Sequence, residues 1–123
     1  MAKILVVDDY AVTQRVITFI LQRSNHTILT AANGKEALDL LGTTAIDLAI
    51  IDMAMPIMDG LTLLRHMRAD ETYRAIPVIM LTASGDDEHR VEATAEGVDA
   101  FLTKPASTQE LTIVVNRLLA EKG

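Results

Sequence analysis

Short apolar runs alternate with stretches of helical periodicity from one end of the chain to the other, and this alternation constrains the fold most strongly. Each run is four residues long. Ile4–Val7 and Leu48–Ile51 are unbroken, without polar residues in between, as is typical of strands that are covered on both faces. The predicted strands are Ile4–Val7, Ile28–Ala31, Leu48–Ile51, Val78–Leu81 and Ala100–Thr103.

Helical patterns fill the intervals between these runs. The predicted helices are one that carries Val12, Val16, Phe19 and Ile20, one that opens at an Asn33–Glu36 capping box, one from Leu61 to about Ala69, one over Glu88–Ala95, and one that opens at a Ser107–Glu110 capping box. Alternating strands and helices predict βαβ units with right-handed crossovers. We therefore expect an α/β fold, in which helices cover both faces of a five-stranded parallel sheet.

The fourth predicted helix has little apolar surface to bury. Val91 is its only large apolar residue, and charged residues surround it. Since buried apolar area is what holds a helix against a sheet, we expect low local stability there.

Length and composition exclude several classes of protein. The 123 residues predict one domain over 1–123, and a hydrophobic content of 50% excludes a disordered chain. The net charge of −6 argues against binding nucleic acid or anionic membranes through bulk positive charge. The absence of cysteine excludes disulfide scaffolds and thiolate metal sites. No signal peptide or membrane-spanning run is evident, so we expect a cytoplasmic protein.

Polar residues follow four of the five predicted strands. They are Asp8 and Asp9, Asp52, Thr82 and Lys104. A single aspartate after a strand is more often a helix cap than a ligand, by roughly three to one, and Asp9 fits that description. That interpretation does not account for four strand ends together, because parallel strands bring their carboxyl ends to one edge of the sheet.

Clustered carboxylates repel one another and raise one another's pKa. Such a cluster makes sense where a hard divalent cation offsets the repulsion. Mg²⁺ fits, since it takes oxygen ligands and is commonly bound by one or two carboxylates together with a phosphate.

The motifs at these strand ends, in this order and over nearly the whole chain, resemble the receiver (CheY-like) domain of two-component response regulators. They are Asp8-Asp9, Asp52, Met55-Pro56, Met58-Asp59-Gly60, Thr82-Ala83 and Lys104-Pro105. The resemblance implies a flavodoxin-like sheet of strand order 2-1-3-4-5.

The resemblance also implies a role for each site residue. Asp52 would accept a phosphoryl group from a histidine kinase or a histidine phosphotransfer protein, with Mg²⁺ as cofactor. Thr82, Ala83 and Lys104 would contact the phosphoryl group. The metal site would consist of Asp8, Asp9, Asp52 and the backbone carbonyl of Ala54.

A conformational switch is implied as well. Once Thr82 turns inward, Phe101 would fill the space it leaves, which would alter a partner-binding face formed by the fourth helix, fifth strand and fifth helix. Ala54 and Ser84 occupy the two positions that, in the family, affect how fast water removes the phosphoryl group. The resemblance also implies that the Lys104–Pro105 peptide bond is cis.

The resemblance implies a signalling phosphoacceptor rather than an enzyme. We expect a stand-alone regulator of chemotaxis or phosphorelay type, without direct nucleic-acid contact or membrane insertion, that is a monomer or a phosphorylation-dependent dimer. The alternative is a pseudo-receiver that only makes protein contacts, although its usual sign is a missing acidic, Thr or Lys position. A phosphohydrolase would need an aspartate at Ala54, and a flavin carrier would need a Gly/Ser/Thr-rich loop where Asp8 and Asp9 stand.

Overall fold

The computed structural model describes residues 2–122, so Met1 and Gly123, the ends of the expected 1–123 domain, lie outside the described residues. Strands and helices alternate along the chain. They are β1 (Lys3–Val7), α1 (Ala11–Gln22), β2 (Thr27–Ala31), α2 (Gly34–Thr43), β3 (Leu48–Asp52), α3 (Gly60–Ala69), β4 (Val78–Thr82), α4 (Asp87–Ala95), β5 (Ala100–Thr103) and α5 (Thr108–Lys122).

The five strands form one parallel sheet of order β2-β1-β3-β4-β5. The predicted fold class and strand order are therefore confirmed. The predicted strand and helix boundaries are also right to within a residue or two.

Alternate residues of the central strands point into two separate hydrophobic clusters. In β1, Leu5 and Val7 join the cluster under α2, α3 and α4, whereas Ile4 and Val6 join the cluster under α1 and α5. Because both faces of the sheet are covered, the strand sequences are apolar without alternation.

The first helix packs differently from what its apolar pattern indicated. Its buried residues are Ile17 and Leu21, whereas Val12, Val16 and Phe19 are exposed, Phe19 to 63%. The helical periodicity is right, but α1 is apolar over more of its circumference than the sheet can cover.

Within the described residues, α4 buries fewer residues than any of the other four helices. Ala93 is its only buried residue, and Val91 is 71% exposed. None of the described helices is both long and apolar enough to cross a membrane.

Candidate functional site

The register of the sheet places the polar strand ends beside one another. Val7 of β1 pairs with Ile51 of β3, so the residues that follow them, Asp8 and Asp52, lie at the same level. Thr82 pairs with Thr103 at the ends of β4 and β5, one residue before Lys104. The site is therefore a consequence of parallel pairing, in which every strand ends at the same edge.

Three carboxylates meet at this edge. Asp8, Asp9 and Asp52 each offer an oxygen, and these oxygens all lie within 4.8 Å of one another. Asp8 and Asp52 are buried, whereas Asp9 is exposed. Two carboxylates of the cluster are therefore buried, and the third faces solvent.

Hydrogen bonds fix the position of Asp8. Its Oδ1 accepts a hydrogen bond from the backbone N–H of Tyr10 at 2.9 Å, and its carbonyl oxygen accepts one from Gln14 Nε2 at 2.6 Å. Asp9 does not cap α1, because the residue in the capping position is Tyr10, which makes no side-chain cap bond. The interpretation of Asp9 as a helix cap is therefore wrong, and its carboxylate belongs to the acidic cluster.

Lys104 links the two buried carboxylates. Its Nζ lies 2.9 Å from Asp8 Oδ2 and 3.1 Å from Asp52 Oδ2. Partial burial acts to lower the pKa of Lys104, but the hydrogen bonds and charges of Asp8 and Asp52 outweigh it, so this pKa lies above its ordinary value. The ammonium therefore stays charged and offsets part of the carboxylate repulsion.

Asp52 is less easily ionised than an ordinary aspartate. Burial raises its pKa most, followed by the charge of Asp8, while Lys104 and the N–H of Ala54 oppose the increase. That N–H donates to Asp52 Oδ1 over 3.4 Å, a long hydrogen bond. The carboxylate thus has one long hydrogen bond at Oδ1 and one ion pair with Lys104 at Oδ2, and it retains oxygen lone pairs for another partner.

Gly60 allows the loop after β3 to fold closely behind Asp52. A Cβ at this position would overlap the carbonyl oxygen of Asp52 and crowd the Cα of Met53. The N–H of Gly60 donates to the carbonyl of Met53 at 2.9 Å. Any larger residue here would have to displace the backbone that carries Asp52.

Thr82 is fully buried, and its hydroxyl is directed at α4. Its Oγ1 accepts a hydrogen bond from Arg90 Nη2 at 3.1 Å, and the same nitrogen donates to Thr103 Oγ1 at 2.7 Å. The guanidinium carbon of Arg90 lies 5.3 Å from the centre of the Phe101 ring. Arg90 was not predicted as a site residue, since nothing in its spacing distinguishes it from the other charged residues of α4.

The remaining predicted residues lie around the cluster. Ala54, Ala83 and Ser84 are exposed, and Phe101 is half-buried against the cluster under α2, α3 and α4. The Lys104–Pro105 peptide bond is cis.

The acidic cluster fits a divalent cation on the chemistry of its donors. All three side chains offer oxygen, the ligand atom that Mg²⁺ prefers. Within the described residues, the ammonium of Lys104, 2.9 Å away, is the partner of the buried Oδ2 of Asp8. Lys104 also pairs with Asp52, so a single ammonium faces a cluster of three carboxylates, and a divalent cation would compensate for the remaining negative charge.

Comparison with known proteins agrees with this geometry. The sequence profile of the family "Response regulator receiver domain" matches residues 4–116. ResD, a transcriptional regulatory protein of Bacillus subtilis (strain 168), is 39% identical over 117 residues, which cover 95% of this chain and 48% of ResD. The chain spans about half the length of the curated relatives it matches.

Two solved structures match over nearly their full length. The receiver domain of the Francisella response regulator 1452 is 36% identical, with a TM-score of 0.91 and complete coverage of both chains. The chemotaxis response regulator CheY4 of Vibrio cholerae is 32% identical, with a TM-score of 0.90, and the match covers 96% of this chain and 98% of CheY4.

Proposed function

Because this chain belongs to the response regulator receiver domains, we propose that Asp52 accepts a phosphoryl group from a phosphohistidine of a partner kinase or phosphotransfer protein. One observation carries the proposal. Asp52 is buried beside a second carboxylate, Asp8, and is paired with the ammonium of Lys104, while its Oδ1 has only one long hydrogen bond. Phosphorylation and Mg²⁺ are typical of the family, which is a group of signalling phosphoacceptors rather than conventional enzymes.

The transfer exchanges one bond to phosphorus for another. A carboxylate oxygen of Asp52 attacks the phosphorus of the phosphohistidine, an O–P bond forms, and the N–P bond of the donor breaks. The leaving imidazole nitrogen keeps the electron pair and takes a proton from solvent. The product is an acyl phosphate on Asp52.

Asp8, Asp9, Asp52 and the backbone carbonyl of Ala54 would hold Mg²⁺. When bound, the ion supplies positive charge that offsets the carboxylates and the incoming phosphoryl oxygens. Asp8 contributes a carboxylate that its hydrogen bond from Tyr10 already orients. Exposed Asp9 contributes the carboxylate nearest to solvent.

Lys104 and Thr82 would bind the phosphoryl oxygens after transfer. Lys104 Nζ is already 3.1 Å from Asp52 Oδ2, so it can pair with an oxygen attached there. Thr82 would turn its hydroxyl away from α4 to donate a second hydrogen bond, next to the backbone of Ala83. A phosphoryl group brings about −1.5 to −2 charge and three acceptor oxygens, enough for both partners.

The output would be a change on the face formed by α4, β5 and α5, which we call the α4–β5–α5 face. Half-buried Phe101 lies on β5 beside weakly anchored α4. When Thr82 turns inward, Phe101 would move into the space that it leaves, and α4 would repack. Phosphorylation would thus shift an equilibrium between two packings, one of which binds a downstream protein.

We further propose that this domain, 1–123, acts in the cytoplasm by protein contact, as a monomer or a phosphorylation-dependent dimer, in a chemotaxis-type or phosphorelay pathway. Acidic residues outnumber basic ones, 17 to 11, which disfavours direct contact with nucleic acid. Relatives such as ResD are transcriptional regulators in which the matched region is about half of the protein.

The test is the mass of the intact protein after incubation with acetyl phosphate or phosphoramidate, with and without Mg²⁺. We expect wild type to gain one phosphoryl group only with Mg²⁺, and Asp52→Asn to gain none. Asp39→Asn is the matched control, because Asp39 is an exposed carboxylate of α2, and it should gain as much as wild type.

Two results would contradict the proposal. A full gain in Asp52→Asn would place the acceptor elsewhere. No gain in wild type with either donor, under conditions in which Mg²⁺ binding is measured, would favour the pseudo-receiver.

A further inference from the structure

A single side chain of α4 connects the ends of two strands beside the candidate phosphorylation site. Arg90 Nη2 donates to Thr82 Oγ1 at 3.1 Å and to Thr103 Oγ1 at 2.7 Å. One guanidinium nitrogen carries two hydrogens, so both bonds can exist together. Arg90 is therefore attached to both β4 and β5 at the edge where the acidic cluster lies.

The contact with Thr82 opposes the role proposed for that residue. Thr82 is fully buried, and within the described residues its hydroxyl bonds to Arg90 and not to Asp52 or Lys104. The hydroxyl accepts this bond through a lone pair and keeps its own proton, so the conflict lies in where Oγ1 is held: to reach a phosphoryl group on Asp52, it would turn away from α4 and give up the bond to Arg90.

The same guanidinium also restrains Phe101. It lies 5.3 Å from the centre of the ring, within the range of a cation–π contact. Phe101 is half-buried, with Arg90 over its ring. The two side chains expected to move on phosphorylation, Thr82 and Phe101, thus share one partner.

We propose that Arg90 is a positioning residue that holds Thr82 and Phe101 in the unphosphorylated arrangement, so that phosphorylation must break its hydrogen bond to Thr82. This inference rests on the proposed function, because it assumes that Thr82 donates to a phosphoryl group on Asp52. These contacts of Arg90 stabilise the unphosphorylated arrangement. Substitution of Arg90 should therefore favour the arrangement that forms on phosphorylation.

The test measures the affinity for beryllofluoride, a non-covalent mimic of a phosphoryl group on aspartate, in the presence of Mg²⁺. The variant is Arg90→Met, which keeps a long stem for packing but has no donor. A lost hydrogen bond of ordinary net strength corresponds to a tightening of about three- to tenfold. Arg65→Met is the matched control, because Arg65 pairs with Glu92 of α4 and with Glu96 directly after this helix, but not with Thr82, and its affinity should stay within twofold of wild type.

A second readout separates a positioning role from simple loosening of α4. In metal-free Arg90→Met, the NMR signals of the Thr82 methyl and the Phe101 ring should move towards their positions in the beryllofluoride-bound wild type. In a Thr82→Val background, Arg90→Met should tighten binding clearly less than it does alone, since the bond to Thr82 is already absent and only the contact with Phe101 is left to remove.

The outcomes distinguish this inference from the proposed function. If wild type binds beryllofluoride and Arg90→Met binds it equally or more weakly, the positioning role is wrong while the phosphoacceptor stands. Tightening that is undiminished in the Thr82→Val background would also overturn the role, because the hydrogen bond to Thr82 would then contribute nothing. If wild type does not bind beryllofluoride and is not phosphorylated, the proposed function itself fails.

Discussion

At the scale of single residues, the placement of Asp52 in the candidate site lowers the stability of the fold. Burial and the charge of Asp8 raise the pKa of Asp52 against the opposing effect of Lys104. The folded metal-free protein therefore disfavours the ionised form of Asp52 that the proposed phosphoryl transfer would need. Such a conflict is common where a group must react.

Asp52→Asn should stabilise the metal-free fold at neutral pH by on the order of 1 kcal/mol. The reason is that it removes a buried charge whose pKa is raised in the folded state. A raised carboxyl pKa means that wild type loses stability as pH rises from the ordinary value of about 3.8 through the folded value. The advantage of the variant should therefore be largest at neutral pH and vanish below about pH 4.

Urea denaturation with a chelator present, repeated across this pH range, measures the difference. Asp39→Asn, which changes an exposed carboxylate, should show no comparable pH-dependent gain. A variant less stable than wild type at neutral pH would mean that the pairing with Lys104 outweighs burial and repulsion.

Ile57 carries backbone strain in the loop after β3. Its φ is +70°, and the N–H of Met58 donates to the carbonyl of Pro56 across it at 2.7 Å, which makes a tight three-residue turn. A γ-turn with positive φ is strained for a residue with a Cβ, at a cost of about 1–2 kcal/mol, and a β-branched residue is the least suited to it. The side chain gains little in return, because it is 80% exposed.

Ile57→Asn should therefore stabilise the fold by about 1 kcal/mol, since asparagine adopts a positive φ more readily than a β-branched residue does. The measurement is the midpoint of urea unfolding at an unchanged slope. Ile113→Asn is the control, because Ile113 is exposed on helix α5, and it should not stabilise. A decrease in the midpoint for Ile57→Asn would show that the loop depends on contacts of the isoleucine.

At the scale of elements, α3 and α4 differ in how much they bury. Five residues of α3 are buried, whereas α4 buries Ala93 alone. Exposed ion pairs, such as those between Arg65 and the glutamates of α4, contribute about 0–1 kcal/mol and do not replace a core.

Backbone amides of α4 should consequently exchange with deuterium at least about tenfold faster than those of α3, because local opening of α4 exposes little apolar surface. Hydrogen exchange followed by NMR measures this residue by residue. Arg65→Met should speed exchange in α4 a further few-fold and leave α1 unchanged. Equal protection of α3 and α4 would contradict a weakly anchored α4.

Elements were easier to predict from the sequence than side-chain directions. Apolar runs located all five strands, because a strand buried on both faces needs them. Strand ends predicted the cluster of Asp8, Asp9 and Asp52, since parallel pairing brings them together. The exposure of Phe19 and the contacts of Arg90 depend on packing between elements, which periodicity does not encode.

At the scale of the whole molecule, the site lies where both layers meet. The cluster under α1 and α5 and the cluster under α2, α3 and α4 share the central strands, and β1 and β3 lead directly into Asp8 and Asp52. A ligand bound at these strand ends therefore contacts the part of the sheet on which both layers pack. Its binding should therefore raise the free energy of unfolding of the whole domain.

Mg²⁺ should accordingly raise the melting temperature of the unphosphorylated protein. An ion that binds only the folded state at about ten times its Kd adds ~1.4 kcal/mol, which corresponds to roughly 4–8 °C in a domain of this size. The effect should follow the logarithm of the Mg²⁺ concentration, as linkage requires, and a chelator should reverse it.

Asp9→Asn should largely abolish the increase, because it removes the solvent-facing carboxylate of the cluster while leaving the buried pair with Lys104 intact. Asp39→Asn keeps the cluster and should respond like wild type. An equal increase in Asp9→Asn would mean that Mg²⁺ stabilises the fold from another site, and the assignment of the metal to this edge of the sheet would be wrong.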